Sequence, residues 1–160
     1  AYDWRHSVRD NARHLTALLA QALPRAELER QPVHLVAHSM GGLVARAMLA
    51  QAEGAALWAR ITQLPNSRFL MLGTPNRGSL EAMRWLVGLN ATQGKLALLD
   101  FAHDTNAIID IVRRFPGVLE LLPFGDDDAD YADPALWKTL KTTLGASWPL
   151  AEAARLREAR

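Results

Sequence analysis

Val33-His34-Leu35-Val36-Ala37-His38-Ser39-Met40-Gly41-Gly42-Leu43-Val44-Ala45-Arg46 is the stretch whose reading decides the fold. It passes from a short apolar segment through a turn of small residues into a helical pattern. Ser39 stands at the apex, with Ala37 two residues before it and Gly41 two residues after. This is the A-x-S-x-G form of a nucleophile elbow, a strand-turn-helix unit that pushes a serine hydroxyl out above a sheet edge. In so sharp a reversal, large side chains at the two flanking positions would collide, and the serine itself takes a strained backbone conformation.

Working outward, residues 33–37 read as a strand buried on both faces. Leu43, Val44, Ala47, Met48 and Ala50 to Ala52 continue as a helix toward Gly54, and residues 55–66 are ambiguous. After the turn signal Pro65-Asn66-Ser67, residues 68–73 (Arg-Phe-Leu-Met-Leu-Gly) form a second buried strand. Strand, helix, strand at this spacing is a βαβ unit, which implies a parallel sheet. Ligands in such sheets sit beyond the carboxyl ends of the strands. The loop Gly73-Thr74-Pro75-Asn76-Arg77-Gly78-Ser79 is therefore expected beside Ser39, with Thr74 and Pro75 as substrate-binding candidates. Upstream, Tyr2-Asp3-Trp4-Arg5 reads as the exit of a strand, with Asp3 and Arg5 as a structural pair. Ser7 and Asp10 suggest a helix cap. Val8, Ala12, Leu15, Leu18, Leu19, Ala22 and Leu23 predict a helix over 7–23, ended by Pro24.

From Leu80 the pattern becomes helical, with segments near 79–90, 92–101, 105–115, 117–122, 134–144 and 149–159. In the third of these, Ile108, Ile111, Val112 and Phe115 line one face. The domain division is 1–79, a sheet-bearing core, and 80–160, a helical cap and following helices. As a cap, the second part would offer Leu86, Ile108 and Val112 to acyl chains. The acidic run Gly125-Asp126-Asp127-Asp128-Ala129-Asp130 reads as a solvated linker. It lacks the glutamate that a calcium loop requires.

Composition sets the outer bounds. The chain has 160 residues, 49% hydrophobic and 22% charged, enough for one domain with a real core. Its net charge of +1 gives no reason to expect nucleic acid. There is no cysteine, hence no disulfide and no thiolate metal site. No cofactor or metal set is expected. No apolar run is long enough for a transmembrane helix. There is no signal-peptide pattern. The compartment stays open, cytoplasmic or exported.

A serine hydroxyl needs a base, usually histidine, an acid to orient it, and donors for the oxyanion. The Met40 N–H, next after the serine, is one such donor, reinforced by the start of a helix. The triad order for this elbow is serine, acid, histidine. Of His6, His14, His34, His38 and His103, only His103 follows Ser39. His103 is thus the candidate base within the chain, although a polar residue in a helix–helix turn is its simpler reading. His34 reads as a buried strand histidine, and His38 as packing beneath the turn.

The elbow resembles that of α/β-hydrolase lipases. Together with Tyr2-Asp3-Trp4-Arg5, the loop 73–79 and Phe115-Pro116-Gly117-Val118-Leu119-Glu120-Leu121-Leu122-Pro123, it is similar to the lecithin:cholesterol acyltransferase-like branch, bacterial members included. The match covers residues 2–123, with Ala37 where the family usually has glycine. It implies a partial α/β-hydrolase fold with a helical cap and a serine acyl hydrolase or acyltransferase acting on lipid-type esters, with interfacial contact through the cap. With two strands and a stub, the expectation is a segment of a longer enzyme, its acid and base elsewhere and its isolated activity small. The alternative is a non-catalytic lipid- or protein-binding module that retains a relic elbow.

Overall fold

The computed structural model describes residues 2–90, 104–123 and 131–159. It divides into two compact units, Ala1–Asn76 and Arg77–Arg160.

In the first unit, helix α1 (Val8–Leu28) precedes strand β1 (His34–His38), helices α2 (Met40–Leu49) and α3 (Ala52–Ile61), and strand β2 (Arg68–Leu72). The Ser7 hydroxyl caps α1, accepting from the Asp10 N–H at 3.0 Å. The expectation that Pro24 ends this helix is corrected, since α1 runs on to Leu28. Tertiary contacts override the missing proline N–H. Leu23 is buried with Leu57 and Ile61, and Arg60 of α3 donates to the Glu27 carboxylate through Nε at 2.9 Å and Nη2 at 2.7 Å. The ambiguous stretch 55–66 resolves largely into α3. A second small core joins Ala12 of α1 to Val44 and Met48 of α2.

β1 and β2 pair in parallel, with His34 opposite Arg68 and His38 opposite Leu72. This small mixed helix-and-sheet unit is compatible with a partial α/β architecture. The two strands are not buried on both faces, contrary to expectation. Leu35 and Ala37 pack toward the helices, and Phe69 meets Trp58 edge-on with ring centroids 6.0 Å apart. The opposite face is open, with Val36 62%, Leu70 51% and Leu72 46% exposed. His34 lies on it and is exposed, not a buried histidine, and His38 is exposed as well. Apolar composition alone does not reveal whether a second layer is present. Tyr2 to Arg5 also departs from expectation, forming a turn instead of a strand end. Asp3 closes that turn, accepting from the Arg5 N–H at 3.0 Å and from its Nη2 at 2.6 Å.

The second unit is helical among its described residues: α4 (Leu80–Leu86), α5 (Thr105–Val112), α6 (Pro116–Leu119), α7 (Pro134–Thr143) and α8 (Ala153–Glu158). Ser79, Asp104 and Asp133 cap α4, α5 and α7 with their side chains. One continuous core gathers Leu86, Ile109, Leu119, Trp137, Trp148 and Leu156. The α5 face turns slightly from the predicted one: Ile109 and Val112 are buried, while Ile111 is exposed. Gly78 has φ +86°, and a Cβ there would overlap the backbone of Leu122, so the α4 entry needs glycine. The predicted helix over 92–101, and the acidic run 125–130, lie outside the described residues. Among the described residues no helix is long and apolar enough to cross a membrane.

Candidate functional site

Ser39 follows β1 directly and is the N-cap of α2. Its backbone sits at φ +52°, ψ −129°, a region that residues with a Cβ rarely occupy. Two hydrogen bonds maintain it. The Ser39 N–H donates to the Leu72 carbonyl at 2.9 Å, and its own carbonyl accepts from the Gly42 N–H at 3.0 Å. The side chain is not spent on capping the helix, although serine is a favoured cap. The residue is exposed. A strained serine with an uncommitted, accessible hydroxyl is the geometry that the sequence motif requires.

Met40 and Gly41 open the first turn of α2, where helix geometry leaves N–H groups without an intrahelical acceptor. The Met40 side chain is buried, which anchors that turn. An anion or a developing oxyanion at this helix start is favoured by the N–H groups and by the helix dipole.

The two flanking positions face one another: a Cβ placed on Gly41 would lie 3.9 Å from the Ala37 Cβ and 3.8 Å from the Tyr2 hydroxyl, so a methyl is in ordinary contact and a larger side chain would crowd the turn. The crowded position is the next glycine. A Cβ on Gly42 would overlap the Thr74 hydroxyl and lie 2.6 Å from its Cγ2 and 2.8 Å from its Cβ. The signal was visible as the Gly41-Gly42 pair, but the partner that demands the second glycine is more than thirty residues away in the chain. Arg46 of α2 also reaches the loop after β2, its Nη1 donating to Asn76 Oδ1 at 2.6 Å. Tyr2, packed beside Gly41, has its phenol pKa pushed up by burial.

Of the residues singled out in the sequence, Ser39, Met40 and Thr74 are brought together around the start of α2, and Pro75 follows Thr74 in the half-buried loop. Leu86 and Val112 are buried in the core of the helical unit, and Ile108 is packed against it. His103 lies outside the described residues. No cluster of three or more metal-ligating side chains occurs among the described residues.

A sequence profile of the lecithin:cholesterol acyltransferase family matches residues 1–154. Searches of curated proteins and of solved structures found no significant match. The profile match runs from the Tyr2 turn through the elbow and most of the helical unit to Ala154, and on that extent the chain belongs to the lecithin:cholesterol acyltransferase family.

Proposed function

We propose that Ser39 is the nucleophile of an α/β-hydrolase-type acyl hydrolase or acyltransferase acting on lipid-type esters. Family membership carries an acyltransferase- or lipase-like activity on lipids, and the serine mechanism is the finer reading. The observation behind it is the exposed Ser39, held at φ +52° with its hydroxyl free at the start of α2. In this reading Ser39 Oγ attacks the ester carbonyl carbon, and its proton passes to a base. The carbonyl oxygen gains negative charge and is met by the Met40 N–H. The tetrahedral intermediate then expels the alcohol, leaving an acyl-serine. Water or a second alcohol completes the turnover. One oxyanion donor of this kind typically contributes ~3 kcal/mol to transition-state stability.

His34 and His38 are exposed on the open sheet face and make no hydrogen bond to Ser39. In this reading the base follows Ser39 in the chain, as the triad order requires. Thr74 and Pro75 are the proposed substrate neighbours in the loop after β2. Residues 80–160 are the proposed cap, with Ile108 as its acyl-chain candidate; Leu86 and Val112 lie in the core of that unit. Exposed Leu80, Leu89, Ile111 and Leu144 supply apolar surface for an interface.

Alkyl fluorophosphonate labelling with peptide mapping tests the proposal. An adduct at Ser39 in the wild type and none in Ser39→Ala is the expected result. Fluorophosphonates modify serines that a base activates, so an adduct reports the complete catalytic arrangement acting on Ser39. No adduct at Ser39, with lipid binding retained, would favour a binding module instead.

A further inference from the structure

We infer that Thr74 is a positioning residue for chemistry at Ser39, acting through the volume it fills against the first turn of α2; this rests on Ser39 being the nucleophile. Gly42 does not have a positive φ, so its own backbone does not require glycine, and in a helix glycine is less favourable than alanine. What excludes a side chain there is Thr74, whose hydroxyl, methyl and Cβ all crowd the position a Cβ would take. A rotamer change could move the hydroxyl or the methyl. It could not move the Thr74 Cβ, which would still lie 2.8 Å away.

The loop carrying Thr74 has little freedom to retreat. On one side the Leu72 carbonyl accepts from the Ser39 N–H at 2.9 Å. On the other Asn76 Oδ1 accepts from Arg46 at 2.6 Å. Thr74 lies between these two ties to the elbow and its helix. An added Cβ at position 42 therefore pushes on the turn that holds the Met40 N–H and the strained Ser39 backbone.

The Thr74 hydroxyl is itself buried and makes no hydrogen bond. A buried polar group kept for bonding is normally satisfied. Shape is the property of Thr74 that the fold uses, and valine preserves that shape.

The test is the rate of fluorophosphonate adduct formation at Ser39, corrected for the folded fraction measured by circular dichroism. Displacement of a catalytic turn by about 1 Å costs ~100-fold in rate, and Gly42→Ala is expected to fall by that order. Thr74→Gly loosens the turn and is also expected to fall. Gly42→Ala/Thr74→Gly moves the side chain from one partner to the other and regains most of the rate. Thr74→Val keeps the volume and is expected to fall far less than Thr74→Gly, with a melting temperature no lower than wild type. A wild-type rate in folded Gly42→Ala, or in Thr74→Gly, overturns the inference. So does a Thr74→Val variant that loses the rate while Thr74→Ser keeps it, since the hydroxyl would then act directly. Should Gly42→Ala not fold, Thr74→Val and Thr74→Gly decide alone. Absence of a wild-type adduct at Ser39 removes the nucleophile reading and this one with it. A normal wild-type adduct with Gly42→Ala unaffected removes only the role of Thr74.

Discussion

The two units organise their apolar residues in different ways. The helical unit joins short helices through one continuous core that includes two tryptophans. The sheet-bearing unit has its core in two small pieces, one at each end of α1, and leaves a row of apolar strand residues uncovered. Yet it is the second kind of packing that holds a serine in a strained backbone. Local geometry at Ser39 is set by hydrogen bonds and one close steric fit, and needs no large core beneath it.

Truncating each core separates the two designs most strongly. Trp137→Ala should destabilise the helical unit by ~3–5 kcal/mol, as loss of a large buried aromatic does. The indole also donates to the Tyr131 carbonyl at 2.8 Å, and that bond disappears. Met48→Ala, in the smaller core, should cost less, within the ~2–5 kcal/mol of such truncations. Amide exchange at Ile109 and Val44 reports each unit. A larger loss from Met48→Ala would break the contrast.

Acid should weaken both units, through different carboxylates. In the first, the Arg5 guanidinium and N–H hold the Asp3 carboxyl well below its ordinary range. In the second, Arg113 and then Arg114 hold down Asp110. Each folded pKa is depressed, so the stabilisation is present above the unfolded value of about 4 and is lost as pH falls through the folded value. Urea midpoints between pH 5 and pH 2 should decline. Asp3→Asn should flatten the decline at probes in the first unit, and Asp110→Asn at probes in the second. An unchanged slope in either variant would show that its ion pair does not contribute.

The smallest effect is expected on the open strand face. Leu70→Ser should change stability by no more than ~0.5 kcal/mol, as surface substitutions generally do. A loss of ~2 kcal/mol or more in a urea melt would show that Leu70 is covered in solution.

The sequence made the elbow legible because its signals lie within fourteen consecutive residues, and the parallel pairing of β1 and β2 followed from the spacing around it. What stayed hidden depended on distant partners. Pro24 read as a stop because the Leu23 and Glu27 contacts with α3 could not be seen in advance. Val36 and Leu70 read as buried because an apolar strand looks the same with one layer of helices as with two. Gly42 looked like one of a pair of turn glycines, when its partner is Thr74. On α5 the periodicity located the helix and the inward positions Ile108, Val112 and Phe115, but it put Ile111 on that face and missed Ile109.

The hydrogen bond from Ser39 to Leu72 has a consequence for the order of folding. It is the rung after the last paired residues of the sheet, and its donor and acceptor are separated by the whole of α2 and α3. Loops of that length close slowly compared with the formation of a local turn. A nascent chain that has made the elbow and α2 but not β2 possesses every residue of the motif and no acceptor for that N–H. Of the two hydrogen bonds that hold the serine, the one from the Gly42 N–H is available as soon as the turn forms, and the one to Leu72 only once β2 docks.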